Sequence, residues 1–249
     1  MKCESVGLTD PGLVRPYNQD NHYIDPQGRF FILADGMGGH AGGEEASRIA
    51  TEVVKDYFES HWEAPINSYD LIEKAIYQAN EQILEQQVLH PERGDMGTTL
   101  VVVMFRQEEI WHAHVGDSRL YLWHQGQLQQ LTLDHTWIAQ AVRAGEISAE
   151  DAKYHPWRHV LSQCLGRRDL LEGLDIKKLE GLQPGDILLL CSDGLTEEVS
   201  DEAINKSLQE AKDLQEAAQT LIKNAKDGGG SDNITVVLVK IQDEEANPQ

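Results

Sequence analysis

Cysteine is scarce in this 249-residue chain: Cys3, Cys164 and Cys191 are an odd number without CxxC spacing. A disulfide framework or a thiolate zinc site therefore has no support, and a reducing cytoplasm fits. Positive charge is also short, with 21 Lys and Arg against 42 Asp and Glu and a formal net charge of -21. Such a surface repels nucleic-acid phosphates and anionic lipid, so neither is an expected partner. The start, MKCESVGLTD, lacks a basic segment followed by an apolar one, and no apolar run approaches the length of a membrane span. No Pro/Ser-rich linker, fixed repeat, GxxxxGK[ST] loop or aspartate-rich EF-hand loop occurs. What remains is a soluble, cytoplasmic single domain, expected over residues 1–242, with a polar tail over 243–249 that frays.

Short β-branched and aromatic segments predict strands at 3–9, 20–25, 29–34, 98–106, 109–115, 119–124, 174–180, 186–191 and 234–241. Apolar residues at three- and four-residue spacing predict helices at 43–61 and 68–88, and a second helical group covers 136–144, 148–153, 200–209 and 213–226. Runs of strands with two blocks of helices, in place of strict alternation, predict an α+β fold with mainly antiparallel sheets. The most apolar strands need cover on both faces, which favours a β-sandwich between helical layers.

The stretch from Phe30 to Ser47, FFILADGMGGHAGGEEAS, contains a decoy. Gly36 to Ala41 matches the G-x-G-x-x-A dinucleotide pattern, follows an apolar strand, opens a helix and has Asp56 about twenty residues on. Against it, Asp35 puts a carboxylate beside the pyrophosphate position, and the helix leads into another helix instead of a parallel strand. The alternative is an acid at a strand end followed by glycines that permit close backbone approach. That construction recurs at Asp193-Gly194 after ILLLCS, at Asp117 after WHAHVG and at Asp232-Asn233 before ITVVLV, and Asp20 begins an early strand. Each alone reads as a turn residue. Four apolar strands with an acid at an end suggest convergence.

Convergence would decide the chemistry. Two carboxylates about 4 Å apart repel by roughly 4 kcal/mol at a surface-like dielectric, so several need protons or cations between them. Carboxylate, carbonyl and water ligands suit hard ions, Mg²⁺ or Mn²⁺. A pair of such ions lowers the pKa of a bridging water and stabilises in-line displacement at phosphorus.

The stretches VRPYNQDN, LADGMGGHAGGE, MGTTLVVV, HVGDSRLYL, LTLDHTW, CSDGLTEEV and SDNITVV occur in this order along nearly the whole chain. With them the chain resembles the metal-dependent (PPM, type 2C) serine/threonine protein phosphatases, in particular their small bacterial branch. It is especially similar to the cyanobacterial member that dephosphorylates the nitrogen-signalling PII protein. The resemblance implies a four-layer α-β-β-α sandwich and hydrolysis of phosphoserine and phosphothreonine by a metal-activated bridging water, without a phosphoenzyme. It implies a phosphorylated protein partner, possible identity of that partner with PII, and action as a monomer.

By the same resemblance Asp35 bridges two metal ions, the Gly36 carbonyl ligates one of them, and Asp193 and Asp232 complete the first metal's shell. Asp117 with Asp193 would hold a third, weaker ion. Asp20 and Asn233 would orient ligands or metal-bound water, and Arg15 would bind the substrate phosphate. His40 is close enough in sequence to the metal loop to serve as general acid, although animal relatives carry histidine directly after the Asp-Gly pair, where this chain has Met37. A structural or water-orienting role for His40 stays open. His135 and His159 lie around the segment resembling the family's flap, about 136–165, and read as packing or substrate contacts. No cysteine begins a CxxxxxR signature, which excludes cysteine-nucleophile phosphatase chemistry. The rivals are a hydrolase of small phosphate esters, a phosphoprotein-binding pseudophosphatase and the dinucleotide enzyme.

Overall fold

The computed structural model describes residues 2–39, 41–93, 95–152, 154–170 and 174–243. His40 and the tail from residue 244 onward lie outside the described residues. The chain opens with β1 (Lys2–Asp10), β2 (Asp20–Ile24) and β3 (Phe30–Met37), followed by α1 (Gly42–His61) and α2 (Ser68–Leu89). The middle holds β4 (Gly97–Thr98), β5 (Leu100–Arg106), β6 (Glu109–Val115), β7 (Arg119–His124) and β8 (Gln127–Gln130), then the short helices α3 (Trp137–Arg143) and α4 (Ala149–Ala152). The last part is β9 (Asp175–Leu179), β10 (Ile187–Cys191), α5 (Asp193–Thr196), α6 (Asp201–Glu210), α7 (Leu214–Gly228) and β11 (Ile234–Gln242).

One sheet has the order β1-β11-β10-β7-β8 and the other β2-β3-β5-β6-β9, with β4 on β3; every pairing described is antiparallel. Period-two side-chain alternation gives each central strand two buried faces. In β3, Phe30, Ile32 and Ala34 join the core under α1 and α2, while Phe31 and Leu33 point between the sheets. In β10, Leu188 and Leu190 meet that same inter-sheet layer, while Ile187, Leu189 and Cys191 pack under α6 and α7. Three apolar layers thus hold four structural layers, the α-β-β-α sandwich. α2 and α7 are started by side-chain caps: the Asn67 carboxamide oxygen accepts from the Asp70 N–H at 2.8 Å, and Asp213 accepts from the Glu216 N–H at 2.8 Å.

Three elements were not expected, one of them a 3₁₀ turn over Pro91–Arg93 between α2 and β4. The edge strand β8, QLQQ, is polar and only half buried, so it lacks an apolar signature, and α5 is a single turn too short to show a period. The dinucleotide reading fails here: α1 turns into α2, no parallel pairing exists among the described residues, and Asp56 is exposed beside Lys55.

Candidate metal centre

All five acids come to one end of the sandwich, and both sheets supply them. Register opposes Asp20 to Asp35 across β2 and β3, while Asp117 follows β6 in the same sheet. Asp193 follows β10 and Asp232 precedes β11 in the other sheet. The two sheets are tied at this end by Asp20, whose Oδ2 accepts from the Ser192 hydroxyl at 2.7 Å and the Thr235 hydroxyl at 2.6 Å. The Thr235 oxygen in turn lies 2.7 Å from the Thr9 hydroxyl, which accepts from the Asn18 amide at 2.7 Å. Thr235 has one proton and gives it to Asp20, so Thr9 donates to Thr235, and the chain of donors runs toward the carboxylate.

The recurrent Asp-Gly pair has a packing cause. A Cβ on Gly36 would lie 2.0 Å from the Gly43 carbonyl oxygen, and one on Gly194 would lie 2.1 Å from that of Asn233. The expectation that these glycines admit a ligand is thus refined: they admit neighbouring backbone, which locks each adjacent aspartate in place. Asp35 is fixed further through its backbone, the N–H donating to Thr99 Oγ1 at 3.0 Å and the carbonyl accepting from the Thr99 N–H at 2.8 Å.

Electrostatically the cluster is strained. Burial, and then repulsion from Asp20, Asp193, Asp117 and Asp232, pushes the Asp35 carboxyl well above its ordinary 3.8. Burial and the Asp193 and Asp134 charges do the same to Asp117. Asp20 is raised to about 6, chiefly by burial, although the Thr235 and Ser192 hydroxyls pull it down; Asp193 is raised to about 6 by burial and by Asp232. Asp20 Oδ1 and Asp193 Oδ1 are buried without a hydrogen-bond partner. Buried, unpartnered carboxylate oxygens call for a cation. The donor set is all oxygen, as a hard divalent ion requires, so the residues fit Mg²⁺ or Mn²⁺.

Arg15 is one cation at the centre, its Nη2 2.7 Å from Asp232 Oδ2 with the Arg15 side chain 51% exposed. Its loop is clamped by Asn233, which donates to the Pro11 and Tyr17 carbonyls at 3.0 and 2.9 Å and accepts from the Gln19 N–H at 2.8 Å. Asn233 therefore sets the Arg15 loop. His159, on the flap side, pairs with Glu197 at the end of α5. Ligand atoms of His159, Asp193 and Glu197 lie within 4.8 Å of one another, a spacing that a metal ion can bridge. Glu197 is raised to about 8 by burial and by Asp193 and Asp232. His135 Nδ1 accepts from the Gly116 N–H at 3.2 Å and its ring stacks on His114, so it packs the turn before Asp117.

Sequence reasoning missed Glu197, Thr99, Ser192 and Thr235. Three of these adjoin a named acid or its motif, Ser192 before Asp193 and Thr235 after Asn233 among them, but a hydroxyl's role depends on what it faces.

A sequence model of "Protein phosphatase 2C" matches residues 16–234. The chain belongs to the protein phosphatase 2C family. Among similar members, the serine/threonine phosphatase stp of Listeria monocytogenes is 38% identical over 239 residues, covering 93% of each chain. PstP, the serine/threonine protein phosphatase of Mycobacterium tuberculosis, is 38% identical over 238 residues, which are 94% of this chain and 44% of PstP. The chain thus spans less than half of PstP but nearly all of stp. The crystal structure of PstP superposes with a TM-score of 0.88 at 35% identity, covering 97% of this chain and 99% of that one. Another structure, of the PstP catalytic domain, is in complex with two manganese ions at a TM-score of 0.83 and 34% identity, covering 97% of this chain and 99% of that one. The phosphatase 2C fold accounts for both antiparallel sheets and their helical layers.

Proposed function

We propose that the chain is a metal-dependent protein serine/threonine phosphatase, acting on phosphoserine and phosphothreonine directly by water. The observation that carries this reading is the gathering of Asp20, Asp35, Asp117, Asp193 and Asp232 at one end of the sandwich, with two buried carboxylate oxygens unpartnered. Asp35, the Gly36 carbonyl, Asp193 and Asp232 would hold a pair of Mg²⁺ or Mn²⁺ ions, and Asp117 with Asp193 a third. When bound, the pair supplies Lewis acidity that activates water and offsets charge on the phosphoryl oxygens.

The chain's own groups do the rest. Arg15 presents its guanidinium fork to the incoming phosphate, exchanging Asp232 for two phosphoryl oxygens. Ser192, Thr235 and Thr9 keep Asp20 oriented through Oδ2, which leaves its buried, unpartnered Oδ1 as an acceptor for water. Ser192, Thr99 and Ser118 are buried and hydrogen-bonded to one another or to the acids, so none is free to form a phosphoenzyme. His40 stays the proposed proton donor to the leaving alkoxide. His159 contributes substrate contact from the flap over residues 136–165, within a single catalytic domain. Phosphorylated PII is one proposed substrate, resting on the sequence resemblance, and a monomer is the proposed working unit.

The test is hydrolysis of a phosphothreonine peptide by purified protein with Mn²⁺ or Mg²⁺, with and without chelator, beside Asp193→Asn. Metal-dependent release of phosphate that the substitution abolishes is expected. Activity surviving complete metal removal would overturn the mechanism.

A further inference from the structure

From Asp117 and Asp193 a groove of about 1310 Å³ leads away between the flap and the junction of α5 and α6. Its two walls differ. On the flap side Leu133, Val142 and Tyr154 line it, with Leu133 and Tyr154 well exposed. Glu198 and Asp201, at the junction of α5 and α6, line it as well.

The charges along the groove do not cancel. Asp134 is neutralised by Arg119 at 2.7 Å, and Glu197 is tied to His159. Arg143 spends a weak contact of 3.4 Å on the Asp134 carbonyl, and Arg158 faces Glu197 electrostatically. Glu198 accepts from the Ser231 hydroxyl and N–H, and Asp201 accepts from the Tyr121 hydroxyl at 3.0 Å. Among the described residues neither of these two carboxylates has a cation within ion-pair distance.

We propose that this groove receives the polypeptide flanking the phosphoresidue and selects phosphosites that carry lysine or arginine on that flank. The proposal rests on the protein-phosphatase reading above. Continuity with the catalytic acids makes the bound phosphoprotein itself the occupant. A lysine or arginine side chain matches both walls: its aliphatic stem covers Leu133, Val142 or Tyr154 while its head reaches Glu198 or Asp201. The whole-chain charge of -21 works the same way at longer range, drawing in a cationic segment whose phosphate it would otherwise repel.

The experiment uses the full chain with saturating Mn²⁺ and phosphothreonine peptides of one core sequence. They carry two lysines, two glutamines or two glutamates, placed before the phosphoresidue in one set and after it in the other. On one side the lysine peptide should show a kcat/KM roughly three- to tenfold above the glutamine peptide, carried by KM, with the glutamate peptide lowest. The ranking should shrink in 0.5 M salt. It should also shrink in Glu198→Gln/Asp201→Asn, while hydrolysis of para-nitrophenyl phosphate, which has no flank, stays unchanged. Equal kcat/KM for lysine and glutamate peptides on both sides in the unaltered protein would overturn the proposal. So would a lysine preference undiminished in the double variant. Turnover of para-nitrophenyl phosphate with no phosphopeptide cleaved would instead overturn the protein-phosphatase reading, and this proposal with it.

Discussion

The two sides of the cleft are built to different standards. On one side four of the acids sit at the ends of β2, β3, β10 and β11, of which β3, β10 and β11 are interior strands with both faces buried, and hydroxyls from the opposite sheet hold Asp20 in place. On the other side the described residues of the segment over 136–165 form two short helices and turns, closed on themselves by an isolated bridge at Thr136–Leu161 and joined to the body by the Thr98–Leu165 bridge and the His159–Glu197 pair. It leaves Trp137, Tyr154 and Trp157 more than half exposed. Repelling carboxylates need a scaffold that cannot relax, whereas a surface that meets varied polypeptides is better on adaptable loops.

The largest effect should come from breaking the rigid side at its centre. Asp35→Asn removes the carboxylate that feels all four other acids. It should lower phosphopeptide turnover by more than about a hundredfold and abolish tight Mn²⁺ binding in calorimetry. Next, Ser192→Ala keeps every proposed ligand but removes one of the two hydroxyls that hold Asp20; the Mn²⁺ concentration for half-maximal activity should rise on the order of tenfold.

Acid titration sharpens the same comparison. Asp20 and Asp193 titrate near 6 in the metal-free folded chain against an ordinary 3.8. Their folded values are raised, so between pH 6 and about 3.8 the folded form takes up protons that the unfolded form does not. Stability from these groups therefore grows as pH falls through 6. The buried His112 and His135, lowered to about 4, work in the opposite direction. They are common to loaded and metal-free protein and cancel in the difference. The rise in Tm on adding Mn²⁺ should thus be several degrees smaller at pH 5.5 than at pH 7.5, as differential scanning fluorimetry would read.

On the flap side, His159→Ala should raise KM for a phosphopeptide only a few-fold, because an exposed pair is worth little, and leave para-nitrophenyl phosphate turnover unchanged. A hundredfold loss of kcat instead would move His159 into the rigid side's chemistry. Smallest of all, Asp56→Ala, on the exposed face of α1, should change stability by less than about 0.5 kcal/mol and leave activity intact.

Most of the architecture was legible beforehand. The strand over 109–115 and the helix from 68 match their expected bounds closely because alternating or three-four apolar spacing reports burial directly. β8 and α5 escaped because a polar edge strand and a single turn carry no period. Legibility of the centre divides the same way. The acids announced themselves by recurring at strand ends, while Thr99, Thr235 and Glu197 belong to the site only through what they face.

The sequence by itself determined the four layers, through the faces its strands and helices must bury, and the identity of the acids, through the recurrence of a carboxylate at the ends of apolar strands. Only the tertiary structure decided that those acids come from both sheets, that Ser192 and Thr235 hold Asp20 across them, and that Glu197 meets the flap. The reason is that burial pattern is a property of one segment, whereas repulsion and hydrogen bonding between segments depend on distances that exist only once the sheets are stacked.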